Sequence, residues 1–168
     1  MAELVLVRVD SRMIHGQVCT HWIGATRADR IILVDDGIYN DPILSQVLGY
    51  AAPQNLKFEI ISTDMAAEAY KKDKFGNGRV IIIFQNIANA KDTYFKGFKY
   101  EELQIGGVEG GKPGKKVVHE NISINNEEAE SLKQIADEGC HIFFQMVPFS
   151  QKGELDSILK KHYPQILN

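Results

Sequence analysis

The sequence predicts a single domain over residues 1–168, built as an open, mostly parallel α/β sheet with helices on both faces. Three observations lead there. Short runs rich in β-branched residues alternate with helical patterns along the whole chain. Several runs are apolar almost throughout, as strands covered on both faces must be. The residues that follow the runs are polar or glycine, at the edge where such Rossmann-like sheets bind their ligands.

Residues 4–9 make the first strand candidate. Ile14, Val18, Trp22 and Ala25 then trace one face of a helix expected to begin right after it. Residues 30–34 form the second strand. Asp41 before Pro42 reads as an N-cap and first helical position, with Ile43, Leu44, Val47, Leu48 and Ala51 on one stripe. Strands are expected at residues 56–61, 80–84 and 103–106. Residues 106–116, rich in Gly and Lys, read as a surface loop, and 122–124 as a further strand segment. Asn125 with Glu128 resembles a capping box; Leu132, Ile135 and Ala136 follow at helical spacing, and Gly139 ends that helix. Residues 141–146 are the last strand candidate. No linker, repeat or low-complexity tract interrupts the series.

Composition narrows the function. A hydrophobic fraction of 44% with 24% charged residues suffices for a real core and excludes intrinsic disorder. Nineteen basic against twenty-two acidic residues give a net charge of −3, which argues against a nucleic-acid track while leaving room for one small anion. Cys19 and Cys140 share no metal-type spacing and read as buried small hydrophobes in a reducing compartment. The amino terminus lacks a signal-peptide pattern, and the apolar run 80–84 is too short to span a bilayer. A soluble, cytoplasmic protein is expected.

The densest set of reactive side chains follows strand one: Arg8, Asp10, Arg12, His15, Gly16 and Gln17. Each has a use toward a phosphoryl group. A neutral imidazole is a competent nucleophile near pH 7. A helix N-terminus favours an anion over an imidazolium. Arg12 would form charge-assisted bonds to phosphoryl oxygens. Gly16 and Gln17 would offer backbone amides. Asp10 would either hold one ring nitrogen protonated or pair with Arg8 or Arg12. The plain structural reading of the same residues is an ordinary helix start with an ion pair. His21 falls on the polar side of the first helix, and His119, His141 and His162 are isolated; none carries an expected role.

Competing motifs fall away on inspection. Gly106, Gly111 and Lys112 match most of a Walker A loop, yet Pro113 stands where Ser or Thr should hold Mg²⁺. No dinucleotide fingerprint occurs. His15 and Cys19 are four residues apart, but no third zinc ligand is near.

Read together, residues 8–18 with Trp22 resemble the IIB component of the mannose-type sugar phosphotransferase system, a family covering mannose, fructose, sorbose and N-acetylgalactosamine transporters. Similar stretches continue through residues 30–36, Asn40-Asp41, residues 51–53, Gly106-Gly107 and residues 145–148, so the resemblance runs nearly end to end. It implies a phosphocarrier, a protein-N(pros)-phosphohistidine–sugar phosphotransferase. A IIA protein would hand a phosphoryl group to His15, on Nδ1, and His15 would give it to a sugar entering through the membrane subunits IIC and IID. Arg12, Asp10, Arg8, Gly16 and Gln17 would support the phosphate. No cofactor, metal or nucleic acid is implied. The chain would not itself span the membrane but would visit its inner face, and IIA would be a separate chain. Ser11 stands where family members often carry an acidic residue. The sugar and the oligomeric state, a homo-oligomer included, stay open.

Two readings from other classes compete. One is a histidine-phosphatase-like hydrolase, although Ile14 occupies the position where those enzymes place Arg before the His. The other is a phosphate-binding α/β regulatory module using the same crevice without covalent chemistry.

Overall fold

The computed structural model describes residues 1–16, 18–108 and 113–168, and leaves out the side chains of Val18 and Cys19. In chain order the elements are β1 (Glu3–Val9), a π-helical turn (Val18–Trp22) running into α1 (Ile23–Thr26), β2 (Arg30–Val34), α2 (Asp36–Tyr39), α3 (Pro42–Ala51), β3 (Lys57–Ile61) and α4 (Thr63–Asp73). There follow β4 (Arg79–Phe84), α5 (Ile87–Phe95), β5 (Glu102–Ile105), β6 (Lys116–His119), β7 (Ile122–Ile124), α6 (Asn126–Asp137), β8 (His141–Phe144), β9 (Gly153–Glu154), α7 (Leu155–His162) and a 3₁₀ turn (Pro164–Leu167).

The main sheet has seven strands in the order β3-β2-β4-β1-β5-β8-β9, parallel except for β9. Central strand β1 has Val9 in register with Phe84 on one side and Ile105 on the other. From β1 the chain departs toward β2, and from β5 it departs toward β8, so a crevice opens where these adjacent strands end.

Alternation along the strands builds two apolar layers. Val7, Val9, Ile32, Val34, Ile82 and Phe84 pack on one face beneath helices α4 to α7. Ile31, Leu33, Ile81 and Ile83 pack on the other against Ile14, Trp22, Ile38 and Leu48. Each such fully buried side chain contributes about 1.5–3 kcal/mol. Among the described residues, no helix is long and apolar enough to cross a membrane.

Local chemistry accounts for the helix ends. Asp41 accepts the amides of Ile43 and Leu44 at 3.1 and 3.0 Å, with Pro42 at the first helical position as expected. Asn125 and Glu128 form the reciprocal capping box, and Gly139 follows α6 with φ +107°.

Several expectations are corrected. The helix after β1 does not start at once. Residues 11–16 turn instead, with Met13 at φ +58° and Gly16 at φ +62°, and Ala25 is exposed. The Asp10 carboxylate accepts the Arg12 amide at 3.0 Å, an Asx-type bond that competes with helix initiation. Of the α3 stripe only Leu48 is buried, while Ile43 and Val47 face solvent at 77% and 54% exposure. Segment 122–124 pairs antiparallel with the unexpected strand β6 in a separate hairpin rather than joining the main sheet. β8 ends at Phe144, two residues early, because the next two carbonyls serve a buried arginine.

Candidate functional site

That arginine is Arg8, penultimate in β1 and wholly buried. Its Nε and Nη2 donate to Asp10 Oδ2 at 3.2 and 3.0 Å. Nη1 donates to Gln104 Oε1 and, at 2.9 Å, to the Gln145 carbonyl. Nη2 also donates to the Met146 carbonyl at 3.0 Å. A guanidinium has five N–H groups, and these five bonds use them all. The Trp22 ring caps the group with its centroid 5.2 Å from Cζ. Burial lowers the Arg8 pKa from its ordinary value, while the Asp10 carboxylate opposes that shift.

Glycine makes room for this cation. A Cβ at Gly106 would overlap the Arg8 guanidinium, so only glycine fits. At Gly107 a Cβ would lie 3.0 Å from Arg12 Nε and 3.2 Å from Asp10 Oδ1, and the Gly107 carbonyl accepts the Ser11 amide at 2.8 Å and the Ser11 hydroxyl at 2.6 Å. The turn carrying residues 11–16 is thereby pinned to the end of β5.

Asp10 is also fully buried. Its second oxygen accepts the Arg12 amide at 3.0 Å and lies 3.4 Å from Arg12 Nε. Of the two roles open to it, pairing with both arginines is the one seen. Arg12 itself is 42% exposed, and its terminal nitrogens have no partner among the described residues. One turn on, the His15 amide donates to the Arg12 carbonyl at 3.1 Å. The His15 side chain is exposed and makes no hydrogen bond among the described residues. Gly16 is exposed beside it.

The geometry therefore divides the predicted set. His15, Arg12 and Gly16 reach the surface together at the carboxyl end of β1. Arg8 and Asp10 lie beneath as support, with no donor of Arg8 left to meet a ligand. Gln17 lies outside the described residues, as do Gly111 and Lys112 of the Walker-like stretch and the side chain of Cys19.

Other strand-end residues do structural work. Asp35 accepts the Ile38 amide at 2.9 Å and Asn89 Nδ2 at 2.8 Å. Asp36 accepts the Thr63 amide at 2.7 Å. Asn86 caps α5. His119 bonds the Gln151 carbonyl at 2.9 Å, and His141 sits between Glu102 and Glu154. Half-buried His21 meets Phe149 edge-on at 5.6 Å. A cavity of about 300 Å³ opens toward the amino-terminal ends of β1 and β5 and holds none of the surface trio. No group of three His, Cys, Asp or Glu among the described residues is placed to hold a metal.

Sequence reasoning missed Gln104 and the capping role of Trp22. Gln104 had a legible signal: a lone polar residue between Leu103 and Ile105 in a strand buried on both faces.

This site sits in a chain with clear relatives. The family described as PTS system sorbose subfamily IIB component matches residues 4–166. The sorbose-specific EIIB component of Lacticaseibacillus casei is 33% identical over 152 residues, which cover 90% of this chain and 92% of that protein. The solved structure of manXB from Thermoanaerobacter tengcongensis superposes with a TM-score of 0.87 at 28% identity, covering 98% of this chain and 99% of that one. The IIBSor domain of the Klebsiella pneumoniae sorbose permease gives 0.85 at 26% identity, covering 95% and 98%. Neither the hydrolase nor the regulatory module is favoured by these likenesses. A turn that lifts an exposed imidazole and a partly exposed guanidinium out of a buried Arg–Asp pair stands within a chain matched over residues 4–166, and that chain belongs to the sorbose subfamily of phosphotransferase-system IIB components, phosphocarriers of sugar uptake.

Proposed function

We propose that His15 is the phosphoryl acceptor of this carrier and that Arg12 is the side chain that meets the phosphoryl oxygens. The observation supporting this most strongly is an exposed His15 side chain beside the terminal nitrogens of Arg12 three residues before it, neither with a hydrogen-bond partner among the described residues.

In the first step a neutral nitrogen of His15, Nδ1 by family likeness, attacks the phosphorus of a phosphohistidine on a IIA protein. One P–N bond forms as the other breaks, and the departing imidazole recovers its lone pair. In the second step a sugar hydroxyl attacks, an O–P bond replaces the P–N bond, and the hydroxyl proton leaves to a base or solvent. The transition state is loose, so the protein acts by positioning and by stabilising charge on the equatorial oxygens. Arg12 supplies that charge, exposed Gly16 leaves close approach open, and Asp10 with Arg8 holds Arg12 from below.

The donor is a IIA protein and the acceptor a sugar bound by the membrane subunits IIC and IID, and on this reading the carrier works in the cytoplasm and transiently at the inner face of the membrane. The activity is that of a protein-N(pros)-phosphohistidine–sugar phosphotransferase. Incubation with phosphoenolpyruvate, enzyme I, HPr and IIA is expected to add one phosphate by mass spectrometry, and none to His15→Ala. Persistent labelling of a folded His15→Ala chain overturns the assignment.

A further inference from the structure

We infer that Gln104 and Gln145 are positioning residues for phosphoryl transfer that act on Arg12 through Arg8 and Asp10, an assignment that rests on the reading of His15 and Arg12 as the reacting pair. Both glutamines are almost fully buried, at 2% and 4% exposure. Gln104 Nε2 donates to Gln145 Oε1 at 3.2 Å, while Gln104 Oε1 accepts from Arg8 Nη1. Gln145 Nε2 donates in turn to the carbonyls of Ser150 at 2.9 Å and Pro148 at 3.3 Å. Between those two residues stands Phe149, 79% exposed.

A continuous polar chain thus runs from the loop after β8 through Gln145, Gln104, Arg8 and Asp10 to Arg12. Every interior member is buried and hydrogen-bonded. Replacing a whole buried network with apolar groups is often neutral or stabilising for a fold, whereas removing one member of it is costly. Arg8 has no spare donor, so losing the Gln104 acceptor forces its guanidinium to shift or leaves an N–H unsatisfied. Either outcome moves Asp10, and Asp10 holds both the amide and the Nε of Arg12.

The test is a double-mutant cycle, because a residue that works through another loses its effect once that other is gone. Phosphorylation of His15 is timed with phosphoramidate, a small P–N donor that needs no protein docking, and with a phosphorylated IIA protein. The chains are wild type, Gln104→Leu, Gln145→Leu, Arg12→Ala and Gln104→Leu with Arg12→Ala. Each glutamine variant is expected to slow both donors about tenfold, in kcat more than in KM for IIA. Added to Arg12→Ala, the Gln104→Leu change is expected to do nothing further, within about twofold. Gln104→Glu, which keeps an acceptor for Arg8 but loses the donor to Gln145, is expected to recover only part of the rate.

Wild-type rates in the glutamine variants, or an undiminished Gln104 effect in the Arg12→Ala background, overturn the assignment. Trp22 emission and thermal melting verify the fold, and if Gln104→Leu fails to fold then Gln145→Leu carries the same cycle. Uptake of phosphate by His15→Ala would instead overturn the reading of His15. An unlabelled His15→Ala beside unaffected glutamine variants removes the positioning role alone.

Discussion

Arg8 and Trp22 share one acceptor: the Met146 carbonyl takes the Nη2 of Arg8 at 3.0 Å and the indole N–H of Trp22 at 3.2 Å. The ring that caps the guanidinium is thus tied to the loop that satisfies it. Removing the cation strands Asp10, Gln104 and two carbonyls. Arg8→Met is expected to lower unfolding stability by about 3–5 kcal/mol, the usual cost of breaking one partner out of a buried pair. Urea denaturation followed by Trp22 emission measures it, and a loss below about 1 kcal/mol would contradict the arrangement described.

Gly106 and Gly49 should respond in opposite directions to the same change. Gly106→Ala drives a methyl group into Arg8 and is expected to cost about 3 kcal/mol or more, with loss of transfer activity. A Cβ at Gly49 in α3 meets nothing within 4 Å, so Gly49→Ala should stabilise by roughly 0.5–1 kcal/mol. Paired thermal melts decide, and a tolerated Gly106→Ala would contradict the packing seen around Arg8.

Much of this was legible in the chain because local signals and tertiary packing agree. Asp41-Pro42 and Asn125 with Glu128 cap helices where their chemistry demands, and the run at 80–84 is a central buried strand. The turn at residues 11–16 was not legible. Its apolar spacing is helical, yet the Asp10 carboxylate and two left-handed residues, Met13 and Gly16, override periodicity. The α3 stripe misled for a different reason: apolar spacing says which residues share a face, not which face meets the core. His15 and Arg12 stood out by composition, whereas Gln104 showed only as a lone polar residue in a buried run, and its tie to Arg8 appears once β1 and β5 lie side by side.

His141 should make stability depend on pH. Hydrogen bonds to Glu102 and then Glu154 raise its pKa above the ordinary 6.5. A raised folded value contributes stability that is fully present below the unfolded pKa and is lost as pH rises through the folded one. The three side chains are about half exposed, so solvent screening limits the effect to roughly 1 kcal/mol or less. Denaturation midpoints of wild type should fall from about pH 5.5 to 8.5 more steeply than those of His141→Gln. Parallel curves would show that the bridge contributes nothing.

Cys140 should be chemically quiet. Burial first, and the nearby Glu102 charge second, push its thiol up to about 12. At pH 8 only about one molecule in ten thousand carries the reactive thiolate. Iodoacetamide should leave the Cys140 peptide unmodified in the native chain and label it in urea. Rapid native labelling would be the contrary result.

One carboxylate sits between two guanidinium groups, and on the proposed assignment this would set how firmly the carrier grips its cargo. Arg8, Asp10 and Arg12 sum to a single surplus positive charge, displayed on Arg12. A protein-bound phosphoryl group near neutral pH brings about two negative charges. Attraction is therefore present but never complete, and the loaded chain keeps an uncompensated anion at its tip. An added bare cation at that rim would turn a stepping stone into a trap, so if Arg12 takes hold of the phosphoryl group as proposed, burying Arg8 is as much a part of letting go.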